Sequence, residues 1–281
     1  MTGMADTKYK LILWDLDGTL IDTIEDLAAA VNYALELRGL PLPSLTEYRG
    51  MVGHGVRNLV KQALERSLEA KGKAGPGAAK TLEAKGEAGP GAAKTGEALT
   101  GGAGSGATTT GPVQTAAASL TGAAKTAETL TDSALENFKD YYTANIDVHT
   151  RPYPGIPELL GDLNAAGVKM AVASNKFQAG TEHLIREFFP DIPFVSILGN
   201  REGCPLKPDP EIVEEVLRSS GLRKEDAVMV GDSGTDMRTA ANGGIAGIAV
   251  GWGYRPMSAA EQYRYAGSVT ELRALLFGRD I

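Results

Sequence analysis

The feature that most constrains this fold is the alternation of short apolar runs with amphipathic stretches in the second half of the chain. Ile156–Ala166 carries a helical period, Val168–Ala173 is an unbroken apolar run, and Ala179–Phe189 is helical again. Phe194–Leu198, Ala227–Val230 and Ile245–Val250 read as further strands, with helices at Pro210–Ser219 and Thr235–Asn242 between them. Near the start, Leu11–Trp14 reads as one more buried strand, stopped by Asp15 and a turn at Gly18. Strands without polar alternation are buried on both faces. The pattern therefore predicts an α/β fold, a Rossmann-like parallel sheet covered by helices on both faces. Ligands in such sheets bind outside the carboxyl ends of the strands. Asp15, Ser174 and Asp232 each closely follow a strand and should share that edge.

Between the first strand and the alternating region the pattern is helical. Thr23–Arg38 has apolar residues at helical spacing, with Thr23 as N-cap and Gly39 and Pro41 as its end. Gly53-His54-Gly55 opens a second helix, whose one face carries Val56, Leu59, Val60, Ala63 and Leu64. Asp132–Asn145 forms a third, with Leu135, Phe138, Tyr141 and Tyr142 at helical spacing.

From about Ser67 to Thr131 the character changes. Leu68–Thr81 and Leu82–Thr95 are two copies of one 14-residue segment that differ only at Lys73 and Glu87. Gly122–Thr126 repeats a fragment of it, and no aromatic residue occurs between Tyr48 and Phe138. A segment dominated by Gly, Ala, Thr and Pro has little apolar area to offset a chain entropy of about 1–2 kcal/mol per residue. Two Gly-rich copies are also too few for a solenoid. The expectation is a disordered or weakly helical insert, either a tolerated expansion or a tether for an unidentified partner.

Composition narrows the function. The 281 residues are 43% hydrophobic and 22% charged, with a formal net charge of -7. That balance is globular, and the sign argues against nucleic acid or an anionic membrane as partner. The single cysteine, Cys204, cannot form an intrachain disulfide and fits a reducing compartment. The apolar run before Asp15 is too short for a signal-peptide core or membrane span, so a cytoplasmic location is expected.

Four clusters carry chemistry. In Asp15-Leu16-Asp17-Gly18-Thr19, two carboxylates at a strand end can divide the work of nucleophile and proton carrier. The same composition also makes an ordinary turn. Ser174-Asn175 can donate to a phosphate oxygen, or simply cap a turn. Lys207, in Lys207-Pro208-Asp209-Pro210, can set an ammonium against phosphate and carboxylate, or lie solvated on the surface. In Gly231-Asp232-Ser233-Gly234-Thr235-Asp236, two carboxylates follow a buried strand and suit a hard cation. Helix capping by Asp232 or Ser233 accounts for one of them more easily than for both.

Taken in order, these clusters resemble the four motifs of the haloacid dehalogenase-like hydrolase superfamily, over Tyr9–Arg66 and Asp132–Ile281. The resemblance implies a phosphatase with Asp15 as nucleophile and Asp17 as general acid, then base. It implies that Ser174, Asn175 and Thr19 bind substrate while Lys207 holds the transferring phosphate. Mg²⁺ would sit on Asp15, the Asp17 carbonyl and Asp232, with Asp236 supporting the metal or orienting Lys207. Asp17 argues against the dehalogenase and P-type ATPase branches. The superfamily places a helical cap between its first two motifs. The expected organisation is therefore a core of residues 1–22 and 151–281 and a cap of 23–150, with the insert at about 67–131.

Leu20-Ile21-Asp22-Thr23, Val52–Arg57, Pro152-Tyr153-Pro154-Gly155 and Gly251-Trp252-Gly253-Tyr254 are similar to the phosphoglycolate phosphatase group. The implied reaction is hydrolysis of a small phosphate monoester, 2-phosphoglycolate first, with His54 and Arg57 reaching its carboxylate from the cap. Two alternatives stand beside it. One is a β-phosphoglucomutase-like phosphotransferase using the same two aspartates. The other is an interaction protein acting through the repeat insert.

Overall fold

The structure, a computed structural model, describes residues 7–73, 115–255 and 263–278. The chain enters through β1 (Leu11–Trp14) and leaves the core at β2 (Ile21–Asp22). The helices that follow, called the cap below, are α1 (Ile24–Glu36), α2 (Leu45–Met51), α3 (Val56–Lys73) and α4 (Thr115–Ala144). Re-entry is through β3 (Arg151–Pro152), which pairs antiparallel with β2, so one two-stranded ribbon joins the two parts. The core continues as α5 (Ile156–Ala165), β4 (Lys169–Phe177), α6 (Gln178–Phe188) and β5 (Ser196–Asn200). It ends with α7 (Glu211–Ser220), β6 (Ala227–Gly231), α8 (Gly234–Gly243), β7 (Ala246–Val250), β8 (Arg264–Ala266) and α9 (Val269–Leu276).

The strands form one parallel sheet in the order β5-β4-β1-β6-β7-β8. Strand β1 lies in the middle, and all four of its residues are buried. Ile12 and Trp14 face the larger core, while Leu11 and Leu13 face a second one with Val213, Val216 and Ala240 of α7 and α8. The α/β reading and the covered sheet therefore stand. The chain passes from β1 to β4 and β5 on one side, then returns from β5 to β6 on the other, which opens a crevice at the carboxyl ends of β4, β1 and β6.

Several boundaries differ from the expectation. Strand β4 does not stop at Ala173 but runs to Phe177, its register shifting against β5 between those two residues. Ser174, Asn175 and Lys176 are thus in the strand, extended by pairing with β5 that their polar side chains do not announce. Thr23 stands at the N-cap position of α1, but its side chain makes no capping bond; its hydroxyl donates to Asp17 instead. Helix α2 was not anticipated, although its Ser44–Glu47 capping box is a sequence signal.

The expected insert also begins inside a helix. Helix α3 runs through Ser67, which is buried, to Lys73, and Thr115–Thr131 already belong to α4. That stretch is rich in alanine and lacks proline, which lets the helix propagate. Residues 74–114, with most of both repeat copies, lie outside the described residues, as does the expectation of a partner there.

The cap packs α1, α3 and α4 around Val31, Leu59, Val60, Ala63, Phe138 and Tyr142. Buried Asp26 accepts from the backbone N–H groups of His149 and Thr150 and from the Thr150 hydroxyl, which ties α1 to the returning chain. No described helix is long and apolar enough to cross a membrane.

Candidate active site

A cavity opens where the cap covers the carboxyl ends of β1 and β4. It is lined by Asp15, Asp17, Ser174, Asn175, Lys176, Lys207, Ser233 and Asp236 from the core. The cap contributes Leu27, Val52, Gly53, Gly55, Val56, Leu59, Phe138 and Tyr142.

Asp15 is placed by the end of β1, where its N–H donates to Val230 O of β6 at 2.9 Å. Lys207 then reaches it from the loop before α7. The Lys207 ammonium donates to Asp15 Oδ1 and Asp236 Oδ1, both at 2.7 Å, and its side chain is only 2% exposed. The surface-lysine reading is thereby excluded. Burial by itself lowers the Lys207 pKa, but the charges of Asp15 and Asp236 outweigh it and hold the ammonium above the usual lysine range. Asp15 is raised well above the usual carboxylate range, first by burial and then by the nearby charge of Asp236.

Asp232 follows β6, and burial with the charge of Asp236 pushes it up to about 7. Its Oδ2 accepts from Tyr254 N at 2.7 Å. Asp236 has both oxygens engaged: Oδ1 by Lys207, and Oδ2 by the Ser233 N–H and hydroxyl in the capping box that starts α8. Capping thus explains part of this cluster, yet carboxylate oxygens of Asp15, Asp232 and Asp236 still lie within 4.8 Å of one another. With Asp17 there are four carboxylates against the ammonium groups of Lys207 and Lys176. An excess of buried negative charge built from hard oxygen donors suits a divalent cation such as Mg²⁺. Asp15 and Asp232 keep an oxygen for it, whereas Asp236 is committed to Lys207 and Ser233.

Two glycines make this approach possible. Gly18 has φ +88, and a Cβ there would come within 2.5 Å of Asp232 Oδ2. Gly253 carries the Gly-Trp-Gly-Tyr loop equally close, so that a Cβ would collide with Asp232 and with Gly18 O.

Asp17 is next to Asp15 on the cavity wall. Its Oδ1 accepts from Thr23 Oγ1 at 2.7 Å and from Lys176 Nζ at 3.1 Å. Ser174 Oγ accepts from Lys176 N at 3.1 Å, which leaves the hydroxyl proton for a ligand oxygen. Asn175 lines the cavity, but its amide is occupied. Oδ1 accepts from Lys207 N, and Nδ2 donates to Lys207 O and to Gly53 O of the cap loop. It positions the lysine and ties down the cap.

Three expected substrate contacts are not brought to the cavity. Thr19 is fully buried behind the turn, where its carbonyl accepts from Trp252 Nε1. His54 is turned toward Arg255, with Nε2 3.0 Å from Nη1, and burial together with that guanidinium lowers its pKa. Arg57 points outward to Asp132 and Glu128 of α4. For both cap residues the nearest counter-group lies outside the cavity, and side-chain reach settles on it.

Lys176, Tyr142 and Tyr254 were not singled out as site residues. Lys176 is buried, with its ammonium 2.6 Å from Tyr142 Oη and 4.7 Å from the centre of that ring. Tyr254 connects Asp232 to the β2–β3 ribbon, since its hydroxyl donates to Asp22 Oδ1 at 3.0 Å. A lysine directly after Ser174-Asn175 was a visible signal, but nothing local reveals that it is buried.

The family model of haloacid dehalogenase-like hydrolases matches residues 9–244. Over 247 residues the chain is 30% identical to a phosphoglycolate phosphatase of Mesorhizobium japonicum, covering 87% of this chain and 83% of that one. It is 26% identical over 272 residues to the phosphoglycolate phosphatase of Vibrio parahaemolyticus, covering 96% of each. Among solved structures it is similar to a candidate phosphoglycolate phosphatase from Lactobacillus delbrueckii subsp. bulgaricus. The TM-score is 0.72 and the identity 27%, covering 96% of this chain and 99% of that one. With Asp15, Lys207, Asp232 and Asp236 assembled at one strand edge and this match over most of its length, the chain belongs to the haloacid dehalogenase-like hydrolase family.

Proposed function

We propose that this hydrolase is a phosphoric monoester hydrolase that transfers the phosphoryl group of a small ester, 2-phosphoglycolate first, to Asp15 and then to water. The observation that carries the reading is the geometry of Asp15. One oxygen is held by a buried lysine, and Asp17 stands beside it on the same cavity wall. The relatives named phosphoglycolate phosphatase support the choice of ester.

In the first step Asp15 attacks phosphorus, the bond to the ester oxygen breaks, and Asp17 gives its proton to the departing alkoxide. In the second, water attacks the same phosphorus while Asp17 takes its proton, and the Asp15 carboxylate leaves. Phosphoryl transfer of this kind depends on in-line positioning and on neutralising the equatorial oxygens. Lys207 and the Ser174 hydroxyl provide for that from the protein side. Mg²⁺, held by Asp15, Asp232 and the Asp17 carbonyl, would supply the remaining positive charge.

Steady-state assays with Mg²⁺ test the ester. The expected kcat/KM for 2-phosphoglycolate exceeds that for an aryl phosphate by about tenfold or more, the worth of one charge-assisted hydrogen bond. Equal values would remove 2-phosphoglycolate from the reading. An isomerised sugar phosphate that forms only with a bisphosphate activator would replace hydrolysis by phosphotransfer.

A further inference from the structure

We propose that Lys176 determines substrate choice by binding a carboxylate one carbon from the phosphate ester oxygen; the inference rests on the phosphatase reading above. The cap side of the cavity is apolar, through Leu27, Val52, Val56, Leu59 and Phe138. Such walls cannot replace the water lost by a second anionic group on the substrate, so a cation has to receive it. Among the described lining residues the cations are Lys176 and Lys207. Lys207 is clamped between Asp15 and Asp236 at 2.7 Å each, where the transferring phosphate belongs. Lys176 is therefore the available one.

Its position agrees with the chemistry. The acid that protonates the leaving oxygen must touch that oxygen, and in a 2-phosphooxy carboxylate one methylene separates it from the carboxylate. The cation that reads the carboxylate must then lie beside the acid. Lys176 Nζ is 3.1 Å from Asp17 Oδ1. Its side chain is 3% exposed, and the Tyr142 hydroxyl and ring hold the ammonium from the cap. These contacts use two of its three N–H donors, leaving one for a ligand. His54 and Arg57, turned to Arg255 and to Asp132, leave this role to it.

The test compares 2-phosphoglycolate with ethyl phosphate, the same ester with a methyl group in place of the carboxylate. Wild type is expected to favour the carboxylate ester. In Lys176→Met, kcat/KM should fall for both esters because Asp17 loses its partner, and the preference should shrink by about 10–100-fold. Lys176→Gln keeps N–H donors toward Asp17 and Tyr142 without the charge, and should lose the same preference even if the methionine variant fails to fold. Lys176→Arg should restore part of it. A wild-type preference that survives in both uncharged variants overturns this assignment alone and leaves Lys176 a positioning residue for Asp17. A wild-type enzyme that treats the two esters alike overturns both this assignment and the ester proposed above.

Discussion

The floor and the roof of the cavity are built on opposite principles. The floor, from the ends of β1, β4 and β6 and the start of α8, crowds carboxylates around one clamped lysine. The roof, from α1, α3 and α4, offers aliphatic and aromatic side chains, with the Tyr142 hydroxyl accepting from Lys176 of the core. Crowded carboxylates oppose folding, because burial disfavours their charged forms and they repel one another. Apolar packing in the cap favours folding and excludes water. The contrast teaches how polarity is divided here: the floor gathers buried charge that a cation would relieve, while the roof shapes and dries the space above it.

The floor can be broken most completely at its nucleophile. Asp15→Asn should lower kcat by at least about 10⁴-fold, in the range of losing a covalent nucleophile elsewhere. Circular dichroism should show the fold intact, since removing one of the crowded carboxylates relieves repulsion. Residual turnover within about tenfold of wild type would show that the floor does not work through Asp15.

A smaller effect should appear in the response to metal and pH. Asp232 is raised from 3.8 to about 7, so its contribution to stability is present below about pH 4 and is lost as pH rises through about 7. Mg²⁺ held by the ionised carboxylates would offset this loss. At one fixed concentration, about 100 times its Kd at pH 8, it should stabilise the protein by about 2.7 kcal/mol at pH 8 and much less at pH 5, read as the shift in thermal midpoint. A shift equal at both pH values would mean that these carboxylates do not hold the ion.

The smallest effect tests whether the outer cap contributes charge. Arg57 is about half exposed and pairs with exposed Asp132 and Glu128. Arg57→Ala should cost no more than about 0.5–1 kcal/mol and leave kcat/KM for 2-phosphoglycolate within about twofold. A fall of tenfold or more in a denaturation-neutral variant would bring Arg57 into the roof and undo the contrast.

Much of the floor was legible because its signals are local. Asp15 and Asp232 follow apolar runs that read as buried strands, and Gly18 marks the turn between Asp15 and the cap. Sequence leaves Asp236 between supporting the metal and orienting Lys207; the structure sets one oxygen on Lys207 and the other on the Ser233 cap. The roof was less legible. Helical spacing placed Phe138 and Tyr142 on a buried face, but a period does not say which buried residue faces a cavity and which a neighbouring helix. His54 and Arg57 are basic side chains in the cap stretch Val52–Arg57. Their partners, 201 and 75 residues away, were beyond any local pattern.

Sequence by itself determined the parallel sheet and the order in which its chemical residues reach one edge. Burial on two faces and the spacing of turns are written in short stretches of chain. Only the tertiary structure decided which charges meet. Lys176 reaches Asp17 across 159 residues, Lys207 reaches Asp15 across 192, and the Asn175 amide meets the backbone of Lys207 and of Gly53. An ion pair is a property of distance and burial, and both are set when the cap and the strand ends pack together.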